Sequence, residues 1–310
     1  MAIVFALFAL LLQGACSPVA LVASVDLPVR QASVPFGGRV MYVRDGDLWF
    51  WQDGASRQLT SGGTWRQPAY SPDGREIAYV YDGGNFSDIW LMSADGSTSR
   101  KLTSNQTRIV EDNVWAMRPT WSRDGSKLAY TSDANSLFPT LWMMNKDGGG
   151  KRQLSAGVGV EGVDSVSWSP DGNRLAVTGV TAQPSQIYIV DVAKGGGERL
   201  TSHPQGAFDP AWSPDGGWMA YIGRESRRGE LWVRDIDGNV SGRLDKLAFI
   251  RSPAWSPDGK HLAVLAAQSG EFEVWVIPVT TGQGQVTFGD PVQLTDQKLV
   301  HAGSGITWTR

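Results

Sequence analysis

The segment Tyr70-Ser71-Pro72-Asp73-Gly74 decides the fold, because the chain repeats it at nearly regular spacing. Four further copies follow: Trp121-Ser122-Arg123-Asp124-Gly125, Trp168-Ser169-Pro170-Asp171-Gly172, Trp212-Ser213-Pro214-Asp215-Gly216 and Trp255-Ser256-Pro257-Asp258-Gly259. The aromatic residues that open successive copies are 51, 47, 44 and 43 positions apart. Internal repetition with a period of about 40 to 50 residues is typical of propellers and other repeat architectures.

Each copy begins a unit of four short predicted strands. The unit that opens at Tyr70 continues with Ile77-Ala78-Tyr79 and Ile89-Trp90 and ends at Leu102-Thr103, and the other units repeat this order. In the turn, Pro presets φ, Asp tolerates the next position, and Gly adopts the positive φ that returns the chain into the following strand. Four antiparallel strands in about 40 to 50 residues are the size of one propeller blade.

The two ends of the repeat region complement each other. Val40-Met41-Tyr42, Leu48-Trp49 and Leu59-Thr60 match the last three strands of a unit, and Ile306-Thr307-Trp308 matches the missing first strand. We therefore predict an all-β, six-bladed β-propeller over residues 39–310, closed by pairing of the C-terminal strand with the N-terminal blade, which removes the edges of an open array. The predicted blades cover about 39–60 plus 304–310, 65–103, 115–155, 163–201, 207–245 and 251–295.

Composition narrows the function classes. The net charge is −3 and the sequence pI is about 5.7, which argues against nucleic-acid binding, because such proteins usually carry a basic surplus on one face. Cys16 is the one cysteine of the chain, so neither an intrachain disulfide nor a zinc site built on thiolates can form. The 14 tryptophans and 37 glycines suit short strands, frequent turns and aromatic packing between sheets.

The first sixteen residues indicate export. Ala2 to Leu12 are almost wholly apolar, a run too short for a span of ~20 residues but suited to a secretory signal. The segment Gln13-Gly14-Ala15-Cys16 resembles a bacterial lipobox, so we predict a signal peptide over 1–16 with lipid attached to Cys16; an ordinary cleaved signal and an uncleaved anchor stay open. Residues 17–38 are predicted to be a tether, and the protein is expected in the periplasm or at the outer cell surface of a bacterium.

The repeated W-S-P-D-G…L-A-Y…L-W…L-T pattern resembles the propeller of the TolB-like family over about residues 39–310. The resemblance is specific for fold and implies an envelope protein. It says less about function, because the same repeat occurs in peptidase-associated propellers, sensor ectodomains and lipoproteins. Full-length TolB carries an additional N-terminal domain, which we expect to be missing here, since only residues 17–38 separate Cys16 from the first predicted strand.

Several motifs that suggest chemistry fall on turns or connections. Gly157-Val158-Gly159-Val160-Glu161-Gly162 fits the pattern of a dinucleotide loop, but it joins two blades and no helix is predicted after it. Asp235-Ile236-Asp237-Gly238-Asn239 aligns with the hairpin turns of other blades rather than with a calcium loop. Neither G-x-S-x-G nor H-E-x-x-H occurs, so we predict no catalytic residue and no cofactor.

The histidines are the candidates for a metal site. His203 and His301 lie in blade-to-blade connections on one predicted face, and Asp209 is a third candidate ligand. The family resemblance is the reason to name them, because some related polysaccharide lyases hold a metal with histidines near the channel. His261 occupies a variable strand position and is expected at the surface. We predict solvated histidines and no bound metal.

The predicted binding site is one mouth of the channel. Residues just before each opening aromatic should come from the connections that ring this mouth: Trp65, Arg66, Gln67, Arg118, Asp164, Asp209 and Arg251. Chain order is also order around the ring, so the arginines are expected on one arc and the aspartates on another. Because function in such folds concentrates in loops on a rigid frame, this mouth and the long loop Ser104 to Val114 are predicted to recognise a peptide or protein segment.

Three functions remain open from the sequence. The first is an envelope-associated, monomeric propeller that binds a protein or peptide partner and is not an enzyme. The second is an envelope glycan lyase or hydrolase that uses channel-mouth residues, which would require clustered acid and base groups. The third is a non-catalytic propeller that assists a separate peptidase.

Overall fold

The computed structural model describes residues 36–157, 159–225, 229–244, 246–268, 270–282, 284–296 and 300–310. The predicted signal peptide, Cys16 and most of the predicted tether lie outside these residues. Within the described part of the chain, no helix is both long and apolar enough to cross a membrane.

The described strands form six antiparallel sheets, one per blade. Blade 1 contains β1 (Arg39–Arg44), β2 (Asp47–Gln52) and β3 (Ala55–Gln58), and its innermost strand is the C-terminal β25 (Thr307–Thr309). Blade 2 contains β4 (Trp65–Tyr70), β5 (Glu76–Asp82), β6 (Ser87–Ser93) and β7 (Ser99–Lys101). Blade 3 contains β8 (Ala116–Trp121), β9 (Lys127–Ser132), β10 (Thr140–Asn145) and β11 (Arg152–Leu154).

Blades 4 to 6 continue the same order. Blade 4 contains β12 (Gly162–Trp168), β13 (Arg174–Val180), β14 (Gln186–Asp191) and β15 (Gly197–Arg199). Blade 5 contains β16 (Ala207–Trp212), β17 (Trp218–Gly223), β18 (Glu230–Asp235) and β19 (Ser241–Leu244). Blade 6 contains β20 (Arg251–Trp255), β21 (His261–Ala267), β22 (Phe272–Gly282), β23 (Gln285–Phe288) and β24 (Val292–Gln293). The six-bladed, all-β prediction is confirmed.

Blade 6 departs from the predicted four strands. Strand β22 is 11 residues long, and its second half forms an extra hairpin with β23, in which Thr280 pairs with Thr287. The fourth strand of the blade proper is β24, which pairs with the first half of β22 at Trp275 and Val276. The repeat pattern in the sequence does not reveal this insertion, because the inserted hairpin does not contain another copy of the opening aromatic.

The ring closes as predicted. Strand β25 pairs antiparallel with β1, with Val40 opposite Trp308 and Arg39 opposite Thr309. The Trp308 side chain is only 8% exposed, and its indole N–H donates to the carbonyl of Gly37 at 3.2 Å. Each blade therefore has two neighbours, and the inner edge of blade 1 is paired by the far end of the chain.

An aromatic cluster covers this closure. The Phe36 ring lies 5.0 Å from the Trp308 ring and 5.6 Å from the His261 ring, measured between centroids. The expectation that His261 is a surface residue is wrong, because only 12% of its side chain is exposed. Its strand position is variable in the repeat, but Phe36, which precedes the first blade, packs against it and shields it from water.

The repeated turn holds its shape through its own serine and aspartate. In blade 2 the Ser71 hydroxyl donates to Asp73 Oδ1 at 2.6 Å and accepts the Glu76 N–H at 3.0 Å, while Gly74 has a φ of 69°. The other four turns show the same Ser-to-Asp hydrogen bond. Because these turns follow the inner strands, they all lie at one end of the channel, which we call the turn end.

The threonine that follows the outermost strand of a blade forms hydrogen bonds with the preceding strand of the same blade. In blade 2 the Thr103 hydroxyl accepts the Ile89 N–H at 2.9 Å and donates to Asp88 Oδ1 at 2.9 Å, and Asp88 is fully buried. Thr60, Thr201 and Thr295 make the equivalent pair of hydrogen bonds in blades 1, 4 and 6. The threonine thus satisfies a buried acid or amide and a backbone donor at once, which explains why the repeat ends in Leu-Thr.

Candidate functional site

The inner strands line a central channel with a volume of about 1730 Å³. The residue just before each opening aromatic is small in every blade and half-buried at the channel wall: Ala69, Thr120, Ser167, Ala211, Ala254 and Thr307. Short side chains at these six positions leave the middle of the channel open. The groups that can contact a partner therefore lie at its two ends.

The residues predicted to ring one mouth lie inside the inner strands, not in the connections before them. Five inner strands carry a β-bulge at this level, where the register shifts between Arg66 and Ala69 and at the matching places in blades 3 to 6. A bulge leaves a residue unpaired and re-aims its side chain. We call this level of the channel the bulge end; it is opposite the turn end.

Four bulge residues adopt a backbone conformation that is rare for their types. Gln67, Arg118, Asp209 and Ser252 have φ between 51° and 54°, and each directly precedes a proline. Residues other than glycine seldom adopt this left-handed backbone conformation, and a following proline further restricts the backbone of the residue before it. Such strain persists only where the surroundings impose it, and it is concentrated at functional sites.

Hydrogen bonds between blades fix these residues. The Arg118 N–H donates to Gln67 Oε1 at 2.8 Å, and the Ser252 N–H donates to Asp209 Oδ2 at 3.1 Å. The Gln67 amide also lies 3.5 Å from the carbonyl of Gly303, beside blade 1. Four of the six blades therefore carry a strained residue at the bulge end, and in two pairs of neighbouring blades the side chain of one such residue holds the backbone of the next.

Arg118 extends across the bulge end toward two acids. Its guanidinium lies 3.8 Å from Asp164 of blade 4 and 3.6 Å from Asp209 of blade 5. Both distances exceed those of a hydrogen bond, so these are loose ion pairs. The expectation of separate positive and negative arcs is wrong, because the long Arg118 side chain crosses from its own blade to both carboxylates.

Two of the predicted binding residues have partners inside blade 2. Arg66 Nε donates to Asp82 Oδ2 at 2.6 Å. Burial alone would raise the pKa of Asp82, but the hydrogen bonds from the Gly84 N–H and Arg66, with the Arg66 charge, bring that pKa below its ordinary value. Trp65 packs edge-on against Tyr79 with ring centroids 5.1 Å apart. Arg251, in contrast, is exposed.

The metal candidates are not brought together. His203 lies against Tyr221, 3.1 Å from its hydroxyl, and burial lowers the pKa of His203 although Glu225 opposes this. The Nδ1 atom of His301 lies 3.0 Å from the Ser304 hydroxyl. Asp209 faces Arg118. Across the described residues, no group of three or more His, Cys, Asp or Glu side chains converges on a metal-sized site.

Exposed apolar side chains occupy connections at the bulge end. Ile109 and Val110 are 57% and 58% exposed on the predicted long loop, Leu137 is 95% exposed between β9 and β10, and Phe138 and Phe249 are about half exposed. In an antiparallel blade, these connections lie at the end where the inner strand begins. Leu137, Phe138 and Phe249 are not among the predicted binding residues, although an apolar Leu-Phe pair within a polar connection is a visible signal in the sequence.

The long loop is held in place by its own side chains. Asn113 Oδ1 accepts the Thr107 N–H at 2.7 Å, and the Asn105 amide donates to the Ser87 carbonyl at 2.7 Å. A short 3-10 helix, Val110–Asp112, lies between these anchors. Ile109 and Val110 are thus displayed on an ordered loop, which lowers the entropic cost of binding a partner.

Comparisons with known proteins point to one family. The family model described as the TolB beta propeller domain matches residues 104–286. A segment of 52 residues is 50% identical to the Tol-Pal system protein TolB of Anaeromyxobacter dehalogenans, and a segment of 117 residues is 33% identical to the uncharacterized peptidase YuxL of Bacillus subtilis. These matches cover 17% and 36% of this chain but only 10% and 16% of those relatives.

Solved structures support the fold. The crystal structure of TolB from Acinetobacter baumannii superposes with a TM-score of 0.72 at 20% identity, covering 89% of this chain and 68% of that one. The structure of putative TolB from Agrobacterium tumefaciens superposes with a TM-score of 0.68 at 18% identity, covering 88% of this chain and 99% of that one. Identities this low show a shared architecture alone.

Proposed function

The chain belongs to the TolB beta propeller domain family, and from that membership we propose that it is an exported, envelope-associated protein that binds a protein or peptide partner at the bulge end of its channel. One observation carries this proposal: exposed apolar side chains and the Arg118 ion cluster occur together at the same end of a rigid ring. Apolar anchors beside polar groups are typical of protein-binding surfaces.

The envelope location has two supports. The apolar run Ala2 to Leu12 and the lipobox-like Gln13-Gly14-Ala15-Cys16 suit export and lipid attachment at Cys16. The relative from Anaeromyxobacter dehalogenans is named as a protein of the Tol-Pal system. We further propose that the protein acts as a monomer, because one chain supplies all the strands that close the ring.

In this proposal the chain binds and does not catalyse. The carboxylates Asp82 and Asp209 of the bulge end are engaged with arginines, Asp82 with Arg66 and Asp209 with Arg118. A second candidate is a non-catalytic propeller partner of a separate peptidase. It is favoured by the match to YuxL, a protein named as an uncharacterized peptidase.

The test is affinity capture from envelope extract, with the retained proteins identified by mass spectrometry. Charge reversal at the bulge end, Arg118→Glu combined with Arg251→Glu, should weaken retention of the captured partner. Arg174→Glu is the matched control, because Arg174 is a half-buried arginine that stacks on Trp212 and pairs with Asp171 at the turn end. If the wild type, the double variant and the Arg174→Glu control all retain the partner equally, the assignment of the bulge end as the binding site is refuted.

A further inference from the structure

A small second cavity lies at the bulge end between blades 5 and 6. It has a volume of about 50 Å³. Most of its lining comes from blades 5 and 6 and the connection between them, and the rest from neighbouring blades: Phe208, Asp209, Ile222, Arg224, Ile250, Arg251 and Ser252, with Arg118, Asp164, Ala302 and Gly303. A cavity needs roughly 10 to 15 Å³ of such space to hold one water. This one has room for a group of about the size of a carboxylate.

The charges around this cavity do not balance. Its lining includes three arginines, Arg118, Arg224 and Arg251, and two aspartates, Asp164 and Asp209. Arg118 is the one that lies near both acids, at 3.8 and 3.6 Å. Among the described residues, neither Arg224 nor Arg251 has a carboxylate within ion-pair distance. One further anionic group would balance the site.

Arg224 is already positioned for such a group. Its guanidinium lies 4.3 Å from the centroid of the Phe208 ring, and its backbone N–H donates to the Gly206 carbonyl at 2.9 Å. Stacking on an aromatic face holds the plane of a guanidinium and leaves its N–H edge free for the two oxygens of a carboxylate.

The apolar side of the cavity strengthens the attraction. Ile222 and Ile250, which also line the cavity, are 2% and 1% exposed. Charges interact more strongly where apolar side chains replace water on one side. The backbone next to Arg251 is held in place, because the N–H of Ser252, which has a left-handed conformation, donates a hydrogen bond to Asp209.

We propose that this cavity is a carboxylate-binding subsite formed by Arg224 and Arg251. The inference rests on the proposed function, and it specifies the chemistry of the partner: a polypeptide that places a carboxylate between blades 5 and 6. The carboxylate belongs either to an acidic side chain or to a chain terminus. Arg118 and its two acids also line this cavity.

The test uses the ¹⁵N-labelled protein and follows the Nε–H signals of its arginines by NMR. Acetate is titrated at constant ionic strength against chloride. The expected result is a saturable shift of the Arg224 and Arg251 signals, with affinity lowered by about tenfold in Arg251→Gln and in Arg224→Gln. Arg174→Gln, the stacked arginine at the turn end, should bind acetate at this cavity as the wild type does.

Two further probes distinguish the source of the carboxylate. Blocked glutamate presents a side-chain carboxylate, N-acetylglycine presents a terminal one, and blocked glutamine is the neutral control. Stronger binding of either acid than of acetate identifies the source, and equal binding of blocked glutamine refutes recognition of charge. Should Arg224→Gln fail to fold, the exposed Arg251→Gln carries the test alone.

If the Nε–H signals of all arginines shift equally and in proportion to the acetate concentration, the subsite proposal is refuted. Unchanged acetate affinity in both Arg224→Gln and Arg251→Gln also refutes it. Neither result contradicts the proposed function, because capture of a partner at the bulge end is measured in a separate experiment. Conversely, saturable acetate binding in a protein that captures no partner supports the subsite and refutes the partner-binding proposal.

Discussion

The backbone N–H of Arg118 donates a hydrogen bond to the side-chain oxygen of Gln67, which belongs to the neighbouring blade and lies 51 residues earlier in the chain. Both residues have a left-handed backbone and precede a proline. The strained conformation of one blade is thus supported by a side chain whose own backbone is equally strained. This hydrogen bond links the shape of the bulge end to the packing of the blades.

Gln67→Ala should lower the free energy of unfolding by about 1 to 3 kcal/mol, because it leaves the part-buried Arg118 N–H without an acceptor. Urea unfolding followed by circular dichroism measures the change. Gln67→Glu is the control, since it keeps a side-chain acceptor at the same place and should stay closer to the wild type. An alanine variant as stable as the wild type would show that the hydrogen bond does not support the bulge.

Trp308→Ala should lower the free energy of unfolding by about 3 to 5 kcal/mol, because it empties a buried site between the first and last strands. It also removes the donor to the Gly37 carbonyl. Trp308→Phe keeps most of the apolar contact and should cost less. Thermal unfolding ranks the three proteins, and the order wild type, phenylalanine, alanine is expected; alanine and phenylalanine variants of equal stability would contradict it.

Stability should fall as the pH is lowered below about 6.5, the ordinary pKa of histidine. Burial lowers the pKa of His261 although Asp258 opposes this, and burial also lowers the pKa values of His203 and His301. A depressed pKa means that the folded state prefers the neutral ring. The stabilising effect is therefore complete above the unfolded pKa and is lost as protons bind at lower pH.

The measurement is the free energy of unfolding between about pH 7 and pH 5. In His261→Gln the decrease should be smaller, because one group that resists protonation in the folded state is gone. Lys260, an exposed neighbour that also disfavours a charge on His261, supplies a comparison: Lys260→Gln should leave a decrease of nearly the wild-type size. A wild type that is equally stable across this range would disprove the linkage.

Cys16 is predicted to carry lipid, and its substitution tests this directly. Cells fed a clickable palmitate analogue should label the wild-type protein and not Cys16→Ser, and the variant should move from the membrane fraction to the soluble fraction. An ordinary cleaved signal predicts no label in either protein. An uncleaved anchor predicts membrane retention of both proteins without label.

The fold was accessible from the sequence because each of its determinants is local. Ser71, Asp73 and Gly74 form their turn from side chains within five residues, and an opening aromatic marks each inner strand. Closure of the ring could also be predicted from the repeat, since the segment around Trp308 supplies the one strand that the unit near Tyr42 lacks.

The site was less accessible, because it depends on contacts between blades. The positions of Arg118 and Asp164 on successive blades were predicted in the correct order, but their proximity depends on side-chain length and on the direction that the bulge imposes. One signal was available: Gln67, Arg118, Asp209 and Ser252 all precede a proline at the same place in the repeat. His261 gave no such signal, because its covering residue, Phe36, lies outside the repeat.

The pairing of β25 with β1 sets the order in which the molecule can be completed. Strands β1 to β3 leave the ribosome first, yet their sheet lacks its innermost member until nearly the whole propeller has been synthesised. Contacts between such distant segments form slowly. A nascent or translocating polypeptide would expose the backbone of β1 for most of that time, so a holdase that shields this edge, or rapid delivery across the membrane, would protect it from proteolysis.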